Sequence, residues 1–188
     1  MISDALGASR SPAQWPIPRR MLDLPRDPRG VPIPWFAGRD ADGRLRVTIL
    51  DRLKWRDAVR ERRCWLCGAP LGRCCTFVLG PIQAVTRTVT EPPSHLGCAE
   101  YAVRVCPFLA NPERGRFDGV ANPNGAPANP GMFALWQTLS FELGEPRGKL
   151  IVGDPVRVAW RTRGRAATAA EIEASQGVGA QIGSVRHG

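Results

Sequence analysis

Apolar and polar positions alternate or recur at different periods along this chain, and the changes of period mark its elements. Residues 1–34 show no period. Pro12, Pro16, Pro18, Pro25, Pro28, Pro32 and Pro34 interrupt them among basic residues. Proline lacks a backbone donor and fixes φ, so this segment predicts an extended arm. Trp15, Met21, Leu22 and Leu24 are its expected anchors. Val31 to Ala37 predicts an edge strand, Asp42-Gly43 a turn, and Leu45 to Leu50 the returning strand. Asp51 is placed to cap a helix running to about Arg63, with Leu53, Trp55, Ala58 and Val59 on its apolar side.

The middle of the chain is apolar in two runs, Leu71 to Leu79 and Ile82 to Thr90, around Gly80-Pro81. They predict a hairpin. Pro92, Pro93 and Ser94 then open a helix with an apolar stripe at Leu96, Ala99, Val103 and Cys106. Residues 111–131 are rich in Pro, Asn and Gly, and longer than a connector needs. From Phe133 to Phe141 the pattern has period two. Phe133, Leu135, Gln137, Leu139 and Phe141 face one way, and Ala134, Trp136, Thr138 and Ser140 the other. Lys149 to Val152 and Val156 to Arg161 predict further strands, split by Gly153-Asp154-Pro155. Thr168 and Glu171 form a capping box for a short helix that Gly177 ends. The expected fold class is α+β. Its parts are an arm (1–34), a hairpin, helix and cysteine module (35–110), a long loop (111–131), a small antiparallel sheet with a short helix (132–177) and a tail (178–188).

Chemistry enters with Cys64, Cys67, His95 and Cys98, which stand as C-W-L-C and H-L-G-C. A C-x-x-C turn brings two sulfurs together, and Gly68 helps the chain reverse. His95 and Cys98, three residues apart at a helix start, share one face. That is the spacing of a closed, four-ligand structural zinc site, and one Zn2+ is the expected cofactor. Cys74 and Cys75 are adjacent on an expected strand, so one of them is an alternative to His95 as fourth ligand. Cys106 reads as a buried small hydrophobe.

Knuckle, hairpin and helix in that order resemble the treble-clef zinc-finger superfamily over residues 60–109. The resemblance implies zinc, held by Cys64/Cys67 and His95/Cys98, and no single function. Across residues 18–177, P-R-R-M-L-D-L-P-R-D-P-R-G-V-P-I-P-W-F, C-W-L-C-G-A-P-L-G, E-P-P-S-H-L-G-C-A-E-Y-A and G-D-P-V-R-V-A-W-R resemble a group of small uncharacterised proteins of phages and prophages in GC-rich bacteria. That resemblance implies a provenance in a bacterial host cytoplasm and no activity.

Catalytic readings find little material. Residues 68–94 hold no His or Asp, and Glu91 is their only acid. A metal nuclease built on this layout needs a histidine base. The chain's histidines are His95 and His187. A zinc hydrolase would need an open metal position with Glu91 or Glu100 as base. No phosphate-binding loop, dinucleotide fingerprint or thioredoxin-like setting is present. The expectation is a binding module and not an enzyme.

The net charge is +9, carried almost wholly by arginine. Such a charge attracts phosphate backbones, although arginine-rich composition also follows from a GC-rich genome. The candidate nucleic-acid contacts are Arg52, Arg56, Arg60, Arg62, Arg63, Arg161, Arg163 and Arg165. The same arginine run also fits a solvated helix face. Trp55, Trp65 and Trp160 are candidate stacking residues, with core packing as the competing role. A protein partner engaged through the arm and the 111–131 loop is the alternative. The start of the chain has no apolar run after a basic stretch, and no run approaches the roughly 18 residues of a membrane span. No membrane is therefore expected.

Overall fold

The computed structural model describes residues 14–111, 129–146 and 148–175. Its first part holds β1 (Ala37–Arg39), β2 (Leu45–Leu50), α1 (Arg52–Arg60), β3 (Cys75–Leu79), α2 (Pro81–Thr86), β4 (Thr88–Val89), α3 (Leu96–Val105) and α4 (Pro107–Ala110). Its second part holds β5 (Met132–Thr138), β6 (Phe141–Gly144), β7 (Lys149–Val152), β8 (Pro155–Thr162), β9 (Arg165–Ala166) and a last helix, α5, over 169–175. The strands form three antiparallel sheets, β1-β2, β3-β5-β8-β9 and β4-β7-β6. The fold is α+β, as the sequence pattern predicts.

The arm is tied down over its described part. Pro18 leads into a 3-10 turn, Arg19–Met21, closed by the Met21 amide on the Pro18 carbonyl at 2.8 Å. Met21 is 2% exposed, and Trp15 and Leu24 pack against the same cluster. Leu22, expected as an anchor, is instead exposed, because the turn points it away from that cluster. Val31 is buried without forming a strand. Pro32 and Pro34 cannot donate to a ladder, so the first strand starts only at Ala37. Residues 1–13, 112–128 and 176–188 lie outside the described residues. With them lie the N-terminal end of the arm, most of the expected loop, Gly177 as helix stop, and the tail.

Asp51 caps α1 as expected, accepting from the amides of Leu53 at 3.0 Å and Lys54 at 3.2 Å. The helix stops at Arg60 and not Arg63. Arg62 turns left-handed at φ 51°, and the Arg63 amide reaches back to Ala58 O at 3.0 Å. That closure satisfies a terminal carbonyl and redirects the chain into the cysteine turn.

The expected hairpin between the cysteine pairs does not form. Pro81 occupies the first turn of α2, where its missing donor costs nothing and its φ is already helical. Gln83 accepts from the Gly80 amide at 2.8 Å and closes the helix start. Gly80-Pro81 therefore opens a helix and not a turn. Arg87, left-handed at φ 53°, ends it. β3 and β4 then leave for different sheets. β3 pairs with β5 from Cys75↔Thr138 to Leu79↔Ala134, and β4 pairs with β7. One bridge, Thr76 with Ser94 through two 2.8 Å bonds, ties β3 to the segment before α3.

The C-terminal strands do not make a sheet of their own. They divide between two sheets, and each takes a strand from the cysteine half. The single period-two run Phe133–Phe141 breaks after Thr138, whose buried hydroxyl donates to Asp154 O at 2.8 Å. Phe141 then begins β6 in the other sheet. β5 is buried on both faces because Phe77, Ala134 and Trp136 pack on one side and Ala99, Val103 and Leu135 on the other. α3 is buried nearly all round. Its Ala99 and Val103 meet β5, while Cys98, Tyr101, Ala102 and Val105 meet the arm and the cysteine turn. Cys106 ends α3 half-buried, because Pro107 follows it and stops the helix, so it does not extend the apolar stripe.

Leu135 is fully buried at the junction of α3 and β5. Leu135→Ala should cost about 2–5 kcal/mol in chemical denaturation. The capping box of α5 forms, with the Thr168 amide on Glu171 Oε2 at 2.8 Å. The Arg165 guanidinium, followed by the Thr168 amide, holds the Glu171 carboxyl down at about 2. A lowered folded value means the contribution is complete above the ordinary glutamate range and fades as pH falls toward about 2. Carboxyl NMR of Glu171 should show that low midpoint, and Arg165→Ala should raise it toward the ordinary range, with the Thr168 bonds still holding it somewhat down.

Candidate metal centre

The knuckle is built by short backbone bonds. The Cys64 amide donates to Ala69 O at 2.8 Å, and the Gly68 amide to Cys64 O at 2.8 Å. Gly68 sits at φ 77°, and a Cβ there would lie 2.7 Å from the Trp35 ring. Only glycine supplies both the left-handed turn and the close approach of that indole. The Trp65 amide then bonds Pro93 O at 3.0 Å, which pulls the knuckle against the segment leading into α3. His95 is the N-cap of α3 and Cys98 lies in its first turn.

These two stretches bring Cys64, Cys67, His95 and Cys98 together. Their candidate ligand atoms all lie within 4.8 Å of one another. Sulfurs about 2.3 Å from a tetrahedral ion stand about 3.8 Å apart, so the spacing fits one such ion. Cys67 Sγ and His95 Nδ1 are 3.4 Å apart. The other ring nitrogen, Nε2, lies 3.1 Å from the Pro70 carbonyl. If Nε2–H donates to that carbonyl, Nδ1 is left with its lone pair toward the sulfurs. Histidine ligands are commonly oriented by such a bond.

Electrostatics agree with a cation site. The amides of Cys67 and His95 both point at Cys64 Sγ, at 3.5 and 3.4 Å. Hydrogen bonds from the Cys67 and Cys98 thiols pull the Cys64 thiol down, against its burial. The Cys64 thiolate in turn pushes Cys67 and Cys98 up. Without a cation, three crowded thiols cannot all ionise. A divalent ion relieves that repulsion, and the soft three-sulfur, one-nitrogen set suits zinc.

Neither alternative cysteine joins the cluster. Cys74 is exposed. Cys75 is buried on the far side, its thiol pushed up to about 11 by burial and its Sγ 3.6 Å from Thr138 O. Only Cys75 lies in β3; Cys74 stands in the bend before it, so the two are not neighbours on one strand as expected, though one is buried and the other exposed. None of the six cysteines is in a disulfide.

The expected nucleic-acid arginines have varied settings. Arg56 pairs with Asp57 at 3.2 Å, Arg63 with Glu61 at 2.7 Å, Arg161 with Glu100 at 3.4 Å, and Arg165 with Glu171 at 2.6 Å. Arg62 lies over the Phe141 ring at 5.2 Å. Arg52, Arg60 and Arg163 are exposed and have no acidic partner among the described residues. Of the tryptophans, Trp55 donates to Thr90 O at 2.7 Å, and Trp65 is buried against Phe36 with centroids 4.8 Å apart. Trp160 lines a small groove of about 270 Å3 with Val85, Trp136 and Val158. Sequence reasoning missed the arm's part in this centre. A cavity beside His95 and Cys98 is lined by Arg19 and Arg20. The paired arginines between two prolines were the available signal.

No protein-family model, no curated protein and no solved structure matches the chain. Among the described residues, no helix is long and apolar enough to cross a membrane.

Purified protein should carry about one zinc per chain by atomic emission. Cys98→Ser should lose the metal, while Cys74→Ser and Cys106→Ser should keep it. Chelation should release Trp35 from Gly68 and shift tryptophan fluorescence to longer wavelength. A folded, metal-free Cys98→Ser protein with unshifted emission would show that the centre is dispensable.

Proposed function

We propose that the chain is a non-enzymatic, zinc-stabilised module that binds nucleic acid through arginine side chains. The first half is supported by the four-donor cluster, which would fill all four positions of a tetrahedral ion. The acids near it are engaged elsewhere. Glu100 pairs with Arg161, and Glu91 accepts from the Thr90 hydroxyl at 2.9 Å. A zinc hydrolase would need one of them as a free base, so that reading has the least support. The treble-clef relation stays part of the proposal for the ligand geometry, knuckle plus helix start, with a strand–helix–strand insertion in place of the hairpin.

The nucleic-acid half rests on the +9 charge and on Arg52, Arg60 and Arg163, which are exposed and have no acidic partner among the described residues. Arg56, Arg63, Arg161 and Arg165 are weaker contacts, since each would have to leave an acid. A second reading has an observation of its own. Val47, Ile49, Leu50 and Leu53 are all exposed, from 38% to 62%, along β2 and the start of α1. That apolar strip fits a phage-derived factor that docks on a host or virion protein.

Anisotropy of a labelled oligonucleotide at about 50 mM salt separates the two readings. Binding should weaken steeply as salt rises. Arg52→Ala with Arg60→Ala should lower the log–log salt slope by about two. No binding at that salt would remove the nucleic-acid reading. Leu53→Glu should leave oligonucleotide binding unchanged, and an equal loss in that variant would favour the apolar strip as the working surface.

A further inference from the structure

A cavity of about 680 Å3 adjoins the metal centre. Its lining includes Arg19, Arg20, Ala69, His95, Gly97 and Cys98. The cavity is in the roughly 300–1,000 Å3 range of small-ligand sites and larger than a simple ion needs. Gly97 has nothing within 4 Å of where a Cβ would stand, so the α3 backbone there faces open space.

The charge in this cavity has no acidic partner among the described residues, unlike that of some other arginines. Arg161 and Arg165 each meet an acid. Arg19 and Arg20 meet none among the described residues. Three thiolates, a neutral imidazole and a divalent ion sum to about one negative charge, so two guanidinium groups leave the cavity positive. Both side chains are exposed, but the backbone that carries them is held in place. The 3-10 turn that carries them is pinned by buried Met21 and by its bond to Pro18. The planar guanidinium fork can meet two oxygens of a tetrahedral phosphate at once.

We propose that this cavity beside the metal centre is a phosphate-ester site of mononucleotide size, in which Arg19 and Arg20 hold the phosphate. The ester has two sources, a free mononucleotide or the phosphorylated end of a strand. Only the second rests on the nucleic-acid reading.

The test uses the zinc-loaded full chain in calorimetric titrations. The probes are a 5′-phosphorylated oligonucleotide, its 5′-hydroxyl twin, a mononucleotide and its nucleoside. The phosphorylated member of either pair should bind at least about tenfold tighter (about 1.4 kcal/mol). Arg19→Ala with Arg20→Ala should abolish that preference with metal content unchanged. If the alanine pair loses metal, Arg19→Gln with Arg20→Gln replaces it and should give the same loss. Equal binding of phosphorylated and unphosphorylated probes overturns the site, as does a preference that survives the double variant. The two proposals fail separately. Salt-sensitive binding of both oligonucleotides without phosphate preference sinks the cavity and keeps the nucleic-acid reading. A mononucleotide preference without oligonucleotide binding keeps the cavity and sinks the other.

Discussion

The meeting of the cysteine knuckle with the first turn of α3 is the constraint on which the rest depends. It joins residues 64–67 to residues 95–98 across a segment that does not fold back on itself, because β3 and β4 sit in different sheets. A structural zinc in such a site contributes on the order of 10 kcal/mol. Domains of this size are stable by roughly 5–15 kcal/mol in total. One such ion would therefore be comparable to the whole margin, and thiolates gathered this closely would repel one another without it.

Two layers of packing grow from that joint. On one side, Met21 and Val31 of the arm cover Cys64, Cys67 and Cys98, and Trp35 lies on Gly68. A proline-rich segment with few ladder bonds is thereby ordered by the knuckle it covers. On the other side, α3 presents Ala99 and Val103 to Leu135 of β5. Since β5 pairs with both β3 and β8, the metal joint is mechanically continuous with the central sheet. A metal held there would position the arm as well as stabilise the joint, and it is the arm that brings Arg19 and Arg20 beside His95.

Much of this was legible in local sequence. Asp51 as helix cap, Thr168 and Glu171 as a capping box, and Lys149–Val152 as a strand all follow from side chains acting on their own backbone neighbours. So does the ligand set, since a C-x-x-C turn and an i, i+3 pair at a helix start each gather two donors without help from the rest of the chain. Gly80-Pro81 shows where local reading fails. The dipeptide suits a turn, yet proline also suits a helix first turn, and Gln83 tips the choice by closing that start. The 133–141 run shows the second kind of failure. Period two identifies strand, but it does not say that the strand ends at Thr138 and resumes in another sheet.

Local sequence was enough for the chemistry and for most local conformations: which residues gather as a candidate metal site, where α1, α3 and α5 begin, and the basic charge. These depend on interactions a few residues long. Tertiary packing chose which strands pair, that Cys75 is buried while Cys74 is exposed, and which arginines meet Asp57, Glu61, Glu100 and Glu171. Pairing over 60 residues, as between Cys75 and Thr138, is chosen by burial of whole faces. No period or motif along the chain encodes which distant face will cover another.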